Sequence, residues 1–218
     1  VLKQIEIAKK SLDGEMLVKD SDILGWCFVD WNLNLNKQAS AQGILLYALS
    51  AAVKMAQTIG DILVEEELAE LYCACRNAAN ERLWDSKQGC YISGKDRQIS
   101  IASQVWMVLG EAVTGEDARK LLMEIEQRED VEKMVTPYMY HNYIDALLHT
   151  GEKNRALRKL ETYWGGMLEQ GADTFWELYN PENVNESPYG GTIVNSYCHA
   201  WSCGPAYFLR KFFKAEEE

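Results

Sequence analysis

The chain has 218 residues, 47% of them hydrophobic, and a formal net charge of −11. That excess of carboxylates excludes a phosphate-tracking surface, so neither nucleic acid nor an anionic membrane is expected as a partner. No basic-then-apolar leader opens the sequence, no segment reads as a membrane span, and the runs Glu65–Glu67 and Glu216–Glu218 read as solvated acidic faces.

The elements are helix after helix. Val1 falls inside a helical pattern, which reads as a cut chain, and a short helix is expected over Leu2–Leu12. Lys37–Ile59 carries Ile44, Leu45, Tyr47, Leu49, Val53, Met55 and Ile59 on every face, which predicts a helix buried all round. Val64–Leu83 instead has one apolar stripe, through Leu68, Leu71, Tyr72, Cys75, Ala79 and Leu83, as a surface helix requires. The alternation repeats. Ile99–Val113 is apolar, and Glu116–Gln127 is amphipathic, with Thr114 as its expected N-cap and acids in its first turn. Tyr138–His149 is apolar and aromatic, Glu152–Tyr163 is striped through Ala156, Leu157 and Leu160, and a mostly apolar helix over His199–Phe213 closes the chain.

Buried and striped helices thus alternate at a spacing of roughly forty residues, the mark of repeated helix pairs in an open solenoid or a closed ring. The connections discriminate. Those from buried to striped helices are tight (Gly60-Asp61, Thr114-Gly115, Thr150-Gly151), whereas the return connections Trp84–Gln98, Arg128–Pro137 and Gly165–Cys198 are long. Long loops in a compact domain tend to be functional. The pattern predicts an all-α toroid of alternating inner and outer helices, a single domain over 1–218 with its binding mouth at the N-terminal ends of the inner helices.

The six cysteines are too few for a disulfide scaffold in a chain of this size. Cys73 and Cys75 stand two apart on a helix, so their side chains diverge. The three histidines, His141, His149 and His199, are far apart in sequence. No metal site and no cofactor is expected. Free thiols point to a reducing compartment, which favours a cytoplasmic placement without fixing it.

Chemistry is expected in the long loops. One holds Trp26, Phe28, Asp30 and Trp31; another holds Phe175, Trp176, Glu177, Glu186, Tyr189, Tyr197, His199 and Trp201. Aromatic faces take the apolar side of a sugar ring, and carboxylates, amides and imidazoles take its hydroxyls, so this is the composition of a saccharide cleft. Glycosyl transfer to water needs an acid and a base. Glu177, flanked by aromatics and expected to face the positive ends of inner helices, is the best base; a capping or Arg-paired role is the alternative. Asp30 suits either a sugar contact or a dipole partner at the start of Lys37–Ile59.

Three stretches resemble a known family: Gly25–Asp61 with Phe28-Val29-Asp30-Trp31, Tyr163-Trp164-Gly165-Gly166-Met167 running into Gly171-Ala172-Asp173-Thr174-Phe175-Trp176-Glu177, and Cys198-His199-Ala200-Trp201-Ser202-Cys203-Gly204-Pro205-Ala206-Tyr207. They are similar, in order, to glycoside hydrolase family 78, the inverting α-L-rhamnosidases with an (α/α)6-barrel catalytic domain. The resemblance implies that Glu177 is the general base that activates water and that His199 contacts the sugar in the −1 subsite. Trp176 and Trp201 would be pocket walls, with Asp30, Trp31 and Trp26 as further substrate contacts.

The family's general acid lies in an Asp-Glu-Arg-Leu-Gly-Trp type segment upstream of Phe28-Val29-Asp30-Trp31. No such segment occurs here, and eight helices at most can be counted where a six-pair barrel needs twelve. The chain is therefore expected to be the C-terminal part of such a domain, inactive alone, missing the N-terminal part of the same polypeptide, and prone to self-association through inner-helix faces. Two other classes stay open: another sugar enzyme on the same barrel (a different glycosidase, an epimerase or a lyase), and a non-catalytic helical carbohydrate-binding or interaction module.

Overall fold

The computed structural model describes residues 1–20 and 27–213. Trp26 and the acidic run Glu216–Glu218, both singled out above, lie outside the described residues. The fold divides into two compact units, residues 1–29 with 34–133 and residues 30–33 with 134–218.

The first unit contains α1 (Leu2–Lys9), α2 (Gln38–Ile59), α3 (Ile62–Arg82), α4 (Ile101–Leu109) and α5 (Gly115–Ile125). Helix α2 is rich in Ala and Leu and free of proline. It stops at Gly60, whose left-handed backbone (φ 74°) suits a residue without a Cβ, and Asp61 then caps α3 by accepting from the Val64 N–H. This is the tight turn the sequence predicts. The expectation that α2 is buried all round is corrected. Its first turns are enclosed: Gly43 lies against the Trp106 backbone of α4, and Gln42 donates to the Cys75 carbonyl of α3 at 2.9 Å. Further along, only the line Leu45, Leu46, Leu49, Ala52 and Ala56 is buried, and Tyr47, Met55 and Ile59 are exposed. By length and apolarity α2 is also the one described helix that could cross a membrane, contrary to the sequence reading, although here it serves as a core helix.

Helices α2 and α4 approach so closely that a side chain cannot fit. A Cβ on Gly43 would lie 2.5 Å from the Trp106 carbonyl carbon and 2.8 Å from the Met107 nitrogen. Both are backbone atoms, which cannot turn aside. Gly43→Ala is therefore expected to cost about 1–3 kcal/mol, read as a lower urea midpoint. Gly165→Ala on α7 (Lys153–Glu169), where a Cβ meets nothing within 4 Å, should instead stabilise by about 0.5–1 kcal/mol.

Helix α4 is buried throughout from Ala102 to Leu109 and is capped by Ser100, which accepts from the Ser103 N–H. It ends at Leu109, short of the expected Val113, because Glu111 adopts a left-handed backbone (φ 57°). The Tyr72 hydroxyl and the Asn80 amide bond to the Gly110 and Ala112 carbonyls, at 3.1 and 3.0 Å. The connection thus spans residues 110–114. Thr114 does occupy the N-cap of α5, but its side chain makes no capping hydrogen bond. The loop between α3 and α4 contains a small antiparallel hairpin, β1 (Trp84–Asp85) and β2 (Cys90–Tyr91), too short to leave a periodic signal. The thiols of Cys73 and Cys75 diverge as expected, the first exposed and the second buried, and all six cysteines are free.

The second unit holds α6 (Pro137–His149), α7 (Lys153–Glu169) and α8 (Gly204–Phe212). Thr136 caps α6, accepting from the Met139 N–H, and Pro137 fills a first-turn position that needs no donor. Helix α7 runs beyond the expected Tyr163, through Gly165-Gly166. The pair reads as a stop in sequence, yet Gly166 makes room for a neighbour: a Cβ there would lie 2.5 Å from the Tyr179 hydroxyl oxygen. The last helix begins at Gly204, later than the expected His199, after a separate 3₁₀ turn over Ala200–Ser202.

Candidate active site

The long loop between α7 and α8 builds the site by pairing two of its own stretches. The Glu177 N–H donates to the Ser196 carbonyl and the His199 N–H to the Phe175 carbonyl, each at 2.8 Å, while the Thr174 hydroxyl bonds to the Tyr197 carbonyl. Residues 174–177 therefore run beside 196–199, and this brings Glu177 and His199 into one place. Two indoles lock the arrangement from behind. Trp201 Nε1 donates to the Glu177 carbonyl at 2.8 Å, and Trp164 Nε1 donates to the Ser202 carbonyl at 2.8 Å. Ser202 in turn donates its hydroxyl to the Trp176 carbonyl.

Glu177 is only 5% exposed. One carboxylate oxygen accepts from the Tyr189 hydroxyl at 2.6 Å and the other from the Ser196 N–H at 3.1 Å. The sequence expectation placed helix N-termini opposite this carboxylate; the donors that hold it belong to its own loop. Tyr189 is half exposed, its ring is set edge-on to Trp31 with centroids 5.6 Å apart, and the adjoining carboxylate pushes its hydroxyl pKa up.

His199 Nδ1 accepts from the Trp201 N–H at 3.4 Å, which places the ring proton on Nε2, and its ring lies 4.3 Å from that of Trp201. Trp201 also meets Tyr138, with centroids 5.9 Å apart, and Trp176 is set edge-on to Tyr197 at 5.3 Å. Beside the Ser196 amide, Asn195 donates to the Glu186 carbonyl at 3.0 Å, while its own side-chain oxygen is buried with no hydrogen-bond partner. A ligand hydroxyl would satisfy it.

Asp30 is placed differently from either sequence reading. It is 4% exposed, and its carboxylate accepts from the Val135 N–H at 2.8 Å, the Thr136 N–H at 3.0 Å, the Thr136 hydroxyl at 2.5 Å and the Trp31 N–H at 3.0 Å. It is a dipole partner of a helix, but of α6 and not of α2. These bonds spend its oxygens on protein donors. The Val135 carbonyl then accepts from the Tyr179 N–H at 3.3 Å and the Tyr163 hydroxyl at 3.2 Å. Asp30 thus fixes the backbone on which Tyr179, two residues after Glu177, is hung.

Of the residues singled out in sequence, Glu177, His199, Trp176 and Trp201 converge in one loop, Trp31 joins through Tyr189, and Asp30 supports from beneath. Sequence reasoning counted Tyr189 among the cleft aromatics without foreseeing its bond to Glu177, and assigned no role to Ser196 or Asn195. A backbone donor such as the Ser196 N–H leaves no trace in composition.

Paired helices, a buried carboxylate between two donors, an imidazole with one N–H edge to offer and aromatic walls together define an all-helical glycosidase domain. The chain belongs to the family described as the bacterial alpha-L-rhamnosidase 6 hairpin glycosidase domain, whose profile it matches over residues 5–212. That family shares the all-α, (α/α)6-type architecture read from the helix alternation. Among solved structures the chain is similar to a rhamnosidase from Klebsiella oxytoca with rhamnose bound, at 42% identity and a TM-score of 0.93, over 98% of this chain and 41% of that one. It also shares the fold of a GH78 family rhamnosidase of Bacillus sp. GL1, at 24% identity and a TM-score of 0.79, over 95% of this chain and 22% of that one. The chain therefore spans about two fifths of the Klebsiella protein's length. A comparison with curated proteins gives no match.

Proposed function

We propose that the chain is the C-terminal part of the (α/α)6-barrel catalytic domain of an inverting α-L-rhamnosidase, carrying the general base and lacking the general acid. The observation that carries the reading is the Glu177 carboxylate, buried yet supplied with two donors and set in the same paired loop as His199 and Trp201. A general base must present an oriented carboxylate to a water molecule, and Tyr189 and Ser196 fix both oxygens. His199 Nε2–H and the Asn195 oxygen offer a donor and an acceptor to ring hydroxyls, while Trp176, Trp201 and Trp31 offer apolar faces.

Inversion follows from a water held between base and anomeric carbon, with the acid about 6.5–9.5 Å from the base. The test is hydrolysis of an aryl α-L-rhamnoside by the polypeptide extended upstream of Val1, with the first product anomer read by NMR. β-L-rhamnose as first product supports the proposal; α-L-rhamnose, or no hydrolysis, overturns it. The chain alone should show none, since loss of general acid catalysis removes a factor of about 10²–10⁴.

Tyr189→Phe tests the positioning of the base. The ring and its contact with Trp31 remain while one donor to Glu177 is lost. In the extended polypeptide kcat should fall about tenfold with little change in KM, as a hydrogen bond to a charged group is worth about 1.5–3 kcal/mol.

A further inference from the structure

A second concave site lies in the first unit, among the C-terminal half of α3, the β1–β2 hairpin and α5. It is a groove of about 520 Å³. Arg76 and Asn80 enter it from one face of α3, Trp84 from the hairpin, and Asp117, Lys120 and Glu124 from one face of α5. The wall behind them is rigid. Asn80 donates to the Ala112 carbonyl at 3.0 Å and accepts from the Tyr91 hydroxyl at 2.6 Å, and Tyr91 is 1% exposed. Tyr91 holds the Trp84 indole through a T-shaped contact, centroids 5.0 Å apart, yet 37% of Trp84 remains exposed.

Two groups in the groove lack the partners their positions call for. Arg76 Nε is buried with no hydrogen-bond partner, an arrangement that is unfavourable until an acceptor is supplied. Thr114, also in the lining, stands at the N-cap of α5 without using its hydroxyl to cap. The charges balance, Arg76 and Lys120 against Asp117 and Glu124, with Lys120 and Glu124 paired at 3.7 Å. An anion such as a phosphate would meet the two carboxylates. An apolar ligand would leave Arg76 Nε without an acceptor. A ring with one apolar face and several hydroxyls satisfies both requirements, because each hydroxyl both donates and accepts.

We propose that this groove binds a neutral sugar ring, stacked on Trp84 and held through its hydroxyls by Arg76 and Asp117. The groove shares no residue with the Glu177 loop and takes from the rhamnosidase reading only the choice of probe. It would serve as a non-catalytic hold that raises the local concentration of a saccharide.

The test follows the indole N–H signals of the 15N-tryptophan-labelled chain during titration with L-rhamnose, then D-glucose, to about 100 mM, with D-glucuronate as the anionic comparison; a Kd of about 1–10 mM corresponds to a weak single-ring contact. The Trp84 signal is assigned by its loss in Trp84→Phe. Buried Trp106 reports that the first unit stays folded. The expected result is a saturable shift of Trp84 with a neutral sugar, weakened at least tenfold by Arg76→Met. A Trp84 signal that stays still, or moves only with D-glucuronate, overturns the proposal. Movement of Trp176 and Trp201 alone would uphold sugar binding at the Glu177 loop and overturn this groove. Movement of Trp84 alone would uphold the groove and count against the loop.

Discussion

Glu177→Gln in the upstream-extended polypeptide is expected to lower kcat for an aryl α-L-rhamnoside by about 10²–10⁴ while leaving the fold intact. The separation of the two effects follows from the bonds around the residue. Ser196 supplies an obligate donor and Tyr189 a hydroxyl that can donate or accept. A glutamine can therefore turn its carbonyl to the Ser196 N–H and its amide to Tyr189, so no buried polar group is stranded. The backbone bonds to Ser196 and Trp201 do not involve the side chain and persist. What disappears is the ability to take a proton from water. Activity and thermal melting measured on the same preparation decide the matter. A fall in kcat with an unchanged midpoint supports the base assignment, whereas full activity would exclude it. A collapse of both would show a structural carboxylate instead.

Much of this was legible because helices announce themselves by periodicity. The stripe through Leu68, Cys75 and Ala79 on α3, the charge-free and mostly apolar α4 and the turn at Gly60-Asp61 each rest on local chemistry that the sequence carries in full. The misreadings came from what local pattern does not encode. Tyr47, Met55 and Ile59 are apolar yet exposed, because burial depends on which partner helix arrives and how far along α2 it reaches. Gly165-Gly166 continue α7 because Tyr179, remote in sequence, needs the space at Gly166. The loop that carries Glu177 shows the same division. Glu177, His199 and Trp201 stood out as residue types, whereas the pairing of residues 174–177 with 196–199 is a backbone event to which almost any side chains could be attached.

Asp30 is the clearest case of a residue whose type was noticed and whose work was not, and its removal should have the largest effect on stability. Asp30→Ala would leave the Val135 N–H, the Thr136 N–H and the Thr136 hydroxyl buried without an acceptor. A loss of about 3–5 kcal/mol is expected in urea denaturation of the second unit. The pH dependence gives an independent signature. Burial pushes the Asp30 carboxyl up to about 6, against the opposing pull of its hydrogen bonds. The native state therefore holds this proton more tightly than the unfolded chain does, and stability should decline as pH rises from about 4 to about 6, by about 3 kcal/mol in all, and level off above. Asp30→Asn, which cannot titrate, should flatten that slope relative to the parent. A parent curve that rises across the same window as steeply as the variant's would show that hydrogen bonds from α6 outweigh burial and hold the carboxylate ionised. Because the Val135 carbonyl also anchors Tyr179, the same variant should lower kcat in the extended polypeptide, linking the start of α6 to the position of Glu177.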